Sequence, residues 1–501
     1  MGGSSSKTMK QQEAVTPSGP VKDTQYDEKH HYSGDDLTQV LRGLQVSGGS
    51  DSDVNPITLS SLSTWDSDFK SNDKNLLGQQ VLSGNDFVKV IANEKAIKSN
   101  HYMFNTTVDI IGSNKFYNNQ KSSGRCWIFA TSNVLRTHVI KNYNLDPEKF
   151  QLSQTYLFFY DKLEKANYFL ENVLATTDLD VEDLYLKHIF REPLSDGGQW
   201  DMIVNILDKY GAIPVELFPD NAQAINTGKL NAFIHDKLRE YGLILRQLSK
   251  DKSKDIKSVK SSMVKQIYDI LCLTLGTPPK PTDSFKWEFI DKDDKFKSID
   301  TTPLDFYKSH IKFAANEHFS LIHDPRNKFD ALYTVDKLNN VYGGKPIEYV
   351  NTELPEIKKV AIKMLKDNEP IFFGSDVGKY YGRDTGILDV DAYNYKLAFN
   401  TDINIDKAER VRTGSSQMTH AMVITGVHLD ENGVPQRWKI QNSWGEDSGE
   451  KGDFVMTDAW FDEFVFQIVT NKKYTSDKTY KIFKEKKYTV LPVYDPMGAL
   501  A

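Results

Sequence analysis

Apolar positions change their spacing along this chain, from scarce, to helical, to strand-like. Residues 1 to 58 hold few large apolar side chains among Gly, Ser, Asp, Gln and Lys, which cannot offset the entropy of ordering, so a disordered tail is expected. From Trp127 onward Ile128, Leu135 and Val139 recur at helical spacing, and Ser122-Ser123-Gly124 just before them offers turn and capping chemistry. A helix starting at Cys126 is therefore predicted. The aromatic run Tyr156, Leu157, Phe158, Phe159, Tyr160, Leu163, Tyr168, Phe169 reads most economically as core. Between about 220 and 345, helical stretches such as Met263 to Leu275 alternate with polar connectors and the Pro278-Pro279 break, which predicts a mostly helical insertion. A helix is predicted at about 355 to 366. Short apolar runs follow: Ile371-Phe372-Phe373, Met422-Val423-Ile424-Thr425, Trp438-Lys439-Ile440, Phe454-Val455-Met456 and Val465 to Val469. Their length, β-branching and Gly-rich boundaries argue for a sheet. The class is α+β, with a site expected at the seam between the front helices and the strand-rich back.

Composition narrows the function classes. A chain of 501 residues exceeds one ordinary core, and 39% hydrophobic with 12% aromatic residues suffices for globular folding. No apolar run approaches the ~18 residues that span a bilayer, and no signal-peptide pattern follows Met1, so no membrane association is expected. Met1, Gly2 and Ser6 formally fit an acylation pattern that a flexible leader also fits. The net charge of −7 gives no global attraction to phosphate backbones, and the lysines from Lys250 to Lys260 are interleaved with Asp251 and Asp255 as on a solvated face. Two cysteines, Cys126 and Cys272, are too few for a disulfide framework and suit a reducing compartment, so a cytoplasmic location is expected.

Cys126 is where a reactive thiol would be built. At a helix start, unpaired N–H groups and the positive end of the dipole favour the thiolate, although a lone cysteine is more often a small buried core residue. A cysteine nucleophile needs a base, a group to orient that base, and donors for an oxyanion. Among eleven histidines, His420 opens an apolar strand, where a polar ring can face a cleft; His428, flanked by Asp430 and Glu431, looks like an exposed turn histidine. A turn at Asp430 to Pro435 and a return strand through Trp438 to Gln441 would bring Asn442 beside His420. A neutral Asn suits an imidazolium already paired with a thiolate, and Trp444 would shield the bond from water, yet Asn442-Ser443 also fits an ordinary turn. Gln120, on the loop feeding the helix, either joins the Cys126 N–H as an oxyanion donor or is a plain polar loop residue.

In combination these elements resemble the papain-like cysteine peptidases: Gln120 and Cys126-Trp127, then His420 opening a strand, then Asn442-Ser443-Trp444-Gly445. Where that family places a disulfide, this chain has Ser123 and Ser195, in keeping with a reducing cytosol. The resemblance extends to the bleomycin hydrolase (aminopeptidase C) branch. It is carried by Gln-Lys-Ser-Ser-Gly-Arg-Cys-Trp at 120 to 127, the segment 152 to 167, Met-Thr-His-Ala-Met at 418 to 422, and the ending Asp495-Pro-Met-Gly-Ala-Leu-Ala501. The interval from Cys126 to His420 is roughly twice that of a papain-type chain, as that branch's large insertion requires.

The resemblance implies a papain-like two-lobed fold, with a helical lobe and an antiparallel β-barrel-like lobe, a large mostly helical insertion and a C-terminal arm. The expected division is a tail at 1–58, the helical lobe with the Cys helix at 59–219, the insertion at 220–350, the β-rich lobe with His420 and Asn442 at 351–475, and the arm at 476–501. It implies an aminopeptidase with catalytic Cys126, His420, Asn442 and Gln120, and no metal or cofactor. Gly197 and Gly198 would offer bare backbone to an extended peptide, with Trp444 and Ala501 completing the substrate site. The carboxylate of Ala501 would pair with the free amino group of the substrate. Expected partners are peptides with a free N-terminus, bleomycin-like amides and homocysteine thiolactone, and copies of the chain in a homohexamer. Two other classes remain: a nucleic-acid-binding or scaffold hexamer with secondary peptidase activity, and an acyltransferase using the same triad.

Overall fold

The structure, a computed structural model, describes residues 57–108, 118–250, 255–382 and 385–500. The expected tail at 1–58 therefore lies almost wholly outside the described residues, as do its acylation pattern and Ala501. The chain divides into two compact units, one of residues up to Ala96 with Asp391–Ile405, the other of Ile97–Val390 with Asp406–Ala501.

In the first unit, Thr58, Asn72 and Asp86 each accept a hydrogen bond from a first-turn amide of the helix that follows, Leu59–Lys70, Asp73–Ser83 and Phe87–Ile91 respectively. The two longer helices bury no side chain. These helices form one compact unit with 391–405. Main-chain bonds from Asn394 N–H to Ile91 O and from Asn93 N–H to Ala392 O, each at 2.8 Å, join the two segments, and Lys74 Nζ donates to Asn400 Oδ1 at 2.6 Å.

The second unit packs helices against one twelve-stranded sheet. Helix Cys126–Tyr143 is buried on nearly every face and ends at Asn144, whose left-handed φ of 51° suits Asn. Helix Gln154–Ala175 is capped by the Ser153 hydroxyl and buries the aromatic run as core. Helices Gly228–Leu248 and Ile256–Leu275 fill the first part of the expected insertion. Past Leu275 the helical reading holds only for the short stretch Pro303–Ile311 and a turn at Ala315–Glu317. Otherwise Phe285–Ile290 pairs with Phe296–Thr301 as a hairpin, and His318–Ile322, Ala331–Val335 and Tyr349–Asn351 join the large sheet. The first strand pair alternates in burial with the period of two that a strand requires.

The strands expected after 370 all form, as Ile371–Ser375, His420–Leu429, Pro435–Gln441, Asp453–Thr457 and Val465–Asn471. Strand His420–Leu429 lies inside the sheet, between Ile371–Ser375, with His420 opposite Ser375, and Pro435–Gln441, with Val423 opposite Gln441. His428 is a correction: it sits in this strand opposite Arg437, half-buried, because the turn begins two residues later at Asp430. In the arm, Tyr488–Leu491 pairs with Ala331–Val335, so Leu491 is a strand residue. Asp495 then accepts from Met497 N–H at 2.8 Å and from Arg326 Nη2 at 2.9 Å, seating the turn Pro496–Gly498. Among the described residues no helix is long and apolar enough to cross a membrane.

Candidate active site

Helix Cys126–Tyr143 begins at Arg125 with no side-chain cap. The capping expected of Ser122 and Ser123 is absent: the cap position falls on Arg125, and the Ser123 hydroxyl turns back into the loop. Ser122 N–H donates to Ile225 O at 3.0 Å, and the Ser123 hydroxyl donates to Gln120 O at 2.6 Å. The amides of Ile128 and Phe129 donate to Arg125 O at 3.0 Å, while the backbone N–H groups of Ala421, Trp127 and Cys126 itself favour the charged form of the Cys126 sulfur. Ala421 is the neighbour of His420, so the thiol lies against the strand that carries the base.

His420 Nε2 donates to Asn442 Oδ1 at 2.8 Å. Because that oxygen only accepts, the proton sits on Nε2 and the lone pair on Nδ1, the nitrogen left for the thiol. Asn442 Oδ1 also accepts from Ser443 N–H at 2.8 Å, and Asn118 Nδ2 donates to Asn442 O at 2.6 Å, with Asn133 Nδ2 holding Asn118 Oδ1 at 2.9 Å. The Trp444 ring lies 4.9 Å from that of His420 and edge-on to Tyr381 and Phe454, a screen of the expected kind.

Gln120 is tied to the same strand end: its N–H donates to Ser443 O at 2.8 Å, and its Oε1 accepts from the Ser443 hydroxyl at 2.6 Å. One Nε2 proton goes to Ser123 O at 2.6 Å, which leaves the other for a ligand. Burial pushes the Cys126 thiol up to about 11 against the three amides, and burial pushes the His420 imidazole down to about 4 against the Asn442 bond. Burial is the largest cause of both shifts, and the hydrogen bonds to each group oppose it. Both cysteines are free thiols.

Gly197 and Gly198 are buried beside the helix start. A Cβ on Gly198 would stand 2.5 Å from the Trp127 ring, so only glycine fits there. The next residue, Gln199, donates from Nε2 to Ala499 O at 2.7 Å, which brings the arm to the glycine strip. Met497 is buried, and Leu500 packs on the hydrophobic core to which Cys126 belongs.

The groups that tie these parts together were not singled out from the sequence. They are Asn118, Asn133, Ser443, the pair Arg125–Asp220 and the pair Lys162–Asp196. Lysines recurring inside an aromatic core stripe were the available signal, since a buried cation needs a partner. No group of three or more acidic, His or Cys side chains with metal-site geometry occurs among the described residues.

A cysteine, a histidine held by an asparagine and a shielding tryptophan across a helix-to-sheet junction define a papain-like cysteine peptidase. The chain belongs to the Peptidase C1-like family, whose model matches residues 56–498. It is 38% identical over 461 residues to "Cysteine proteinase 1, mitochondrial" of Saccharomyces cerevisiae (strain JAY291), covering 89% of this chain and 93% of that one. It is 39% identical to the bleomycin hydrolase of Mus musculus, covering 85% and 94%. Among solved structures, pepw from Lactobacillus rhamnosis superposes with a TM-score of 0.85 at 39% identity, covering 89% of this chain and 99% of that one. The expected branch and the α+β papain-like fold are thereby borne out, and the chain is a cysteine peptidase.

Proposed function

We propose that the peptidase is an aminopeptidase acting on peptides and related amides with a free amino terminus. The observation that carries this is the seat of the arm at the glycine strip, through Gln199 Nε2 and Ala499 O at 2.7 Å. Two residues on, the carboxylate of Ala501 would meet the substrate ammonium, and a charge-assisted pair out of water favours substrates that supply it. Chains longer by one residue upstream would collide with the arm.

In the proposed reaction, the Cys126 proton passes to His420 Nδ1, and the thiolate of this thiolate–imidazolium pair attacks the scissile carbonyl. As the C–S bond forms the carbonyl π pair moves onto oxygen, so the negative charge passes from sulfur to the oxyanion while the imidazolium stays charged. The oxyanion is held by the Cys126 N–H and the second Nε2 proton of Gln120. The imidazolium protonates the leaving amine, giving an acyl-cysteine. His420 Nδ1 then takes a proton from water, the hydroxide adds to the thioester, and the thiol is regenerated with release of the acid. No step needs a metal or cofactor. Bleomycin-like amides, suggested by the names of relatives, and homocysteine thiolactone, a reactive acyl donor with a free amine, belong to the same substrate class.

Cleavage of aminoacyl fluorogenic amides should exceed that of their N-acetylated forms by about 100-fold, equivalent to about 2.7 kcal/mol for a desolvated charged pair. Deletion of residues 499–501 should collapse that ratio toward unity. Equal cleavage of blocked and free substrates by the intact chain would overturn the reading.

The same proposal makes the enzyme a cytosolic homohexamer. Its support is the apolar surface of the first unit, where Leu59, Trp65 and Leu77 are more than half exposed and need a covering surface, together with the two free thiols. Gel filtration of the cytosolic fraction of cells that make it should recover the chain at about six times 57.1 kDa. Recovery in an organelle fraction overturns the location, and a monomer overturns the assembly.

A further inference from the structure

Two lysines on helix Gln154–Ala175 reach the segment that carries the glycine strip. Lys162, wholly buried, places Nζ 2.6 Å from Asp196 Oδ1 and 2.6 Å from Asn231 Oδ1, and Asn231 Nδ2 returns a bond to Asp196 Oδ1 at 2.9 Å. The other carboxylate oxygen of Asp196 accepts from the Thr227 hydroxyl and, at 3.3 Å, from Gly124 N–H. The Asp196 carbonyl accepts from Trp127 Nε1 at 2.8 Å. Lys165, paired with Asp161 at 2.7 Å, donates to Ser195 O at 2.9 Å and Gly197 O at 2.6 Å, and lies over the Trp127 ring. The fit at Gly124 is close: a Cβ there would come within 2.9 Å of Asp196 Cβ. Burial alone would raise the Asp196 carboxyl, but Lys162, Thr227 and Asn231 hold it well below the usual carboxylate range, so it stays charged at neutral pH.

A buried ion pair is weak evidence for stability, because well-packed apolar replacements often serve as well. What this one does is geometric. Its carboxylate grips the amide of Gly124, on the loop that runs from Gln120 to the nucleophile, while its own main chain continues into Gly197 and Gly198.

We propose that Asp196, held by Lys162, is a positioning residue that fixes the oxyanion donors of the Gln120–Cys126 loop at a set distance from the glycine strip along which the substrate backbone lies. Lys165 completes the clamp by holding the carbonyls on either side of Asp196. The inference rests on the peptidase reading above.

The test compares Asp196→Asn with the double variant Asp196→Asn/Lys162→Met in the full chain. Concentrations are set by titrating the active thiol with an irreversible peptidyl inhibitor. The single variant strands a buried ammonium and should lose both thermal stability and activity. The double variant removes both charges, so its melting temperature should return to within a few degrees of the parent. Its kcat should stay lower by about 10- to 100-fold, the size expected of a misplaced reacting group, with a smaller change in KM. A double variant whose kcat and KM both return to within about twofold of the parent would overturn the clamp.

Thr227→Val removes one bond to Asp196 and no charge, and keeps the test decisive if the double variant does not fold. A kcat at least about threefold lower at unchanged melting temperature supports the clamp, and an unchanged kcat overturns it. A parent chain that hydrolyses no amide would count against the peptidase reading and not against the clamp.

Discussion

Replacing Cys126 by Ala is expected to lower kcat on aminoacyl amides by at least about 10⁴-fold while leaving the fold in place. Removing a nucleophile removes the covalent route, and what survives is the modest acceleration from oxyanion donors and binding. The sulfur is buried at the first residue of its helix, and Ala is compatible with that position, so the variant should melt close to the parent. A peptidyl epoxide supplies the matching chemical test. It occupies the cleft, and its ring opens as His420 accepts the thiol proton, so Cys126 should be alkylated and Cys272 spared. Cys272 sits near the end of helix Ile256–Leu275, half-buried and beside the Tyr268 side chain. Equal labelling of the two cysteines, or activity of the Ala variant within tenfold of the parent, would remove Cys126 from the reaction.

The parts of the site that the sequence revealed are those fixed by local rules. Cys126 is legible because apolar spacing marks the helix that follows it. Asn442 is legible because a short turn after His420–Leu429 fixes the register of the return strand, bringing Asn442 back to the strand mouth. Non-local pairing was not legible. His318–Ile322 pairs in parallel with Tyr349–Asn351, and Ala331–Val335 in parallel with Tyr488–Leu491, so neither has a hairpin turn to announce it. The ties from Asn118 to Asn442 and from Ser443 to Gln120, and those from Lys162 to Asp196 and Lys165 to Gly197, likewise join residues far apart in the sequence. The serines before Cys126 misled for another reason. Their turn chemistry is real, but the Ser123 hydroxyl spends it locally on Gln120 O, three residues back, while the main chain of Ser122 crosses to Ile225 O. The helix therefore starts at Arg125 with no side-chain cap.

Asn442→Ala should lower kcat by about 100-fold, less than loss of the nucleophile, because the base survives but its orientation and tautomer do not. In the parent, the bond from His420 Nε2 to Asn442 Oδ1 at 2.8 Å keeps the lone pair on Nδ1. The pH profile separates this role from packing. Burial holds the imidazole down to about 4, and the Asn442 bond opposes that shift. His420 accepts a proton only while neutral, so kcat/KM should fall as pH drops through about 4 and stay level through neutrality, with the thiol raised to about 11. Removing Asn442 withdraws the opposing bond, so the acid limb should move to lower pH. Asn442→Asp should do the reverse. The buried Nδ2 of Asn442 has no partner among the described residues, so a carboxylate there breaks no donor bond and stabilises the imidazolium, moving the acid limb up by a unit or more. Opposite displacements in the two variants are the signature of a group acting on the imidazole. If both lower kcat and leave the acid limb where the parent has it, Asn442 serves packing alone.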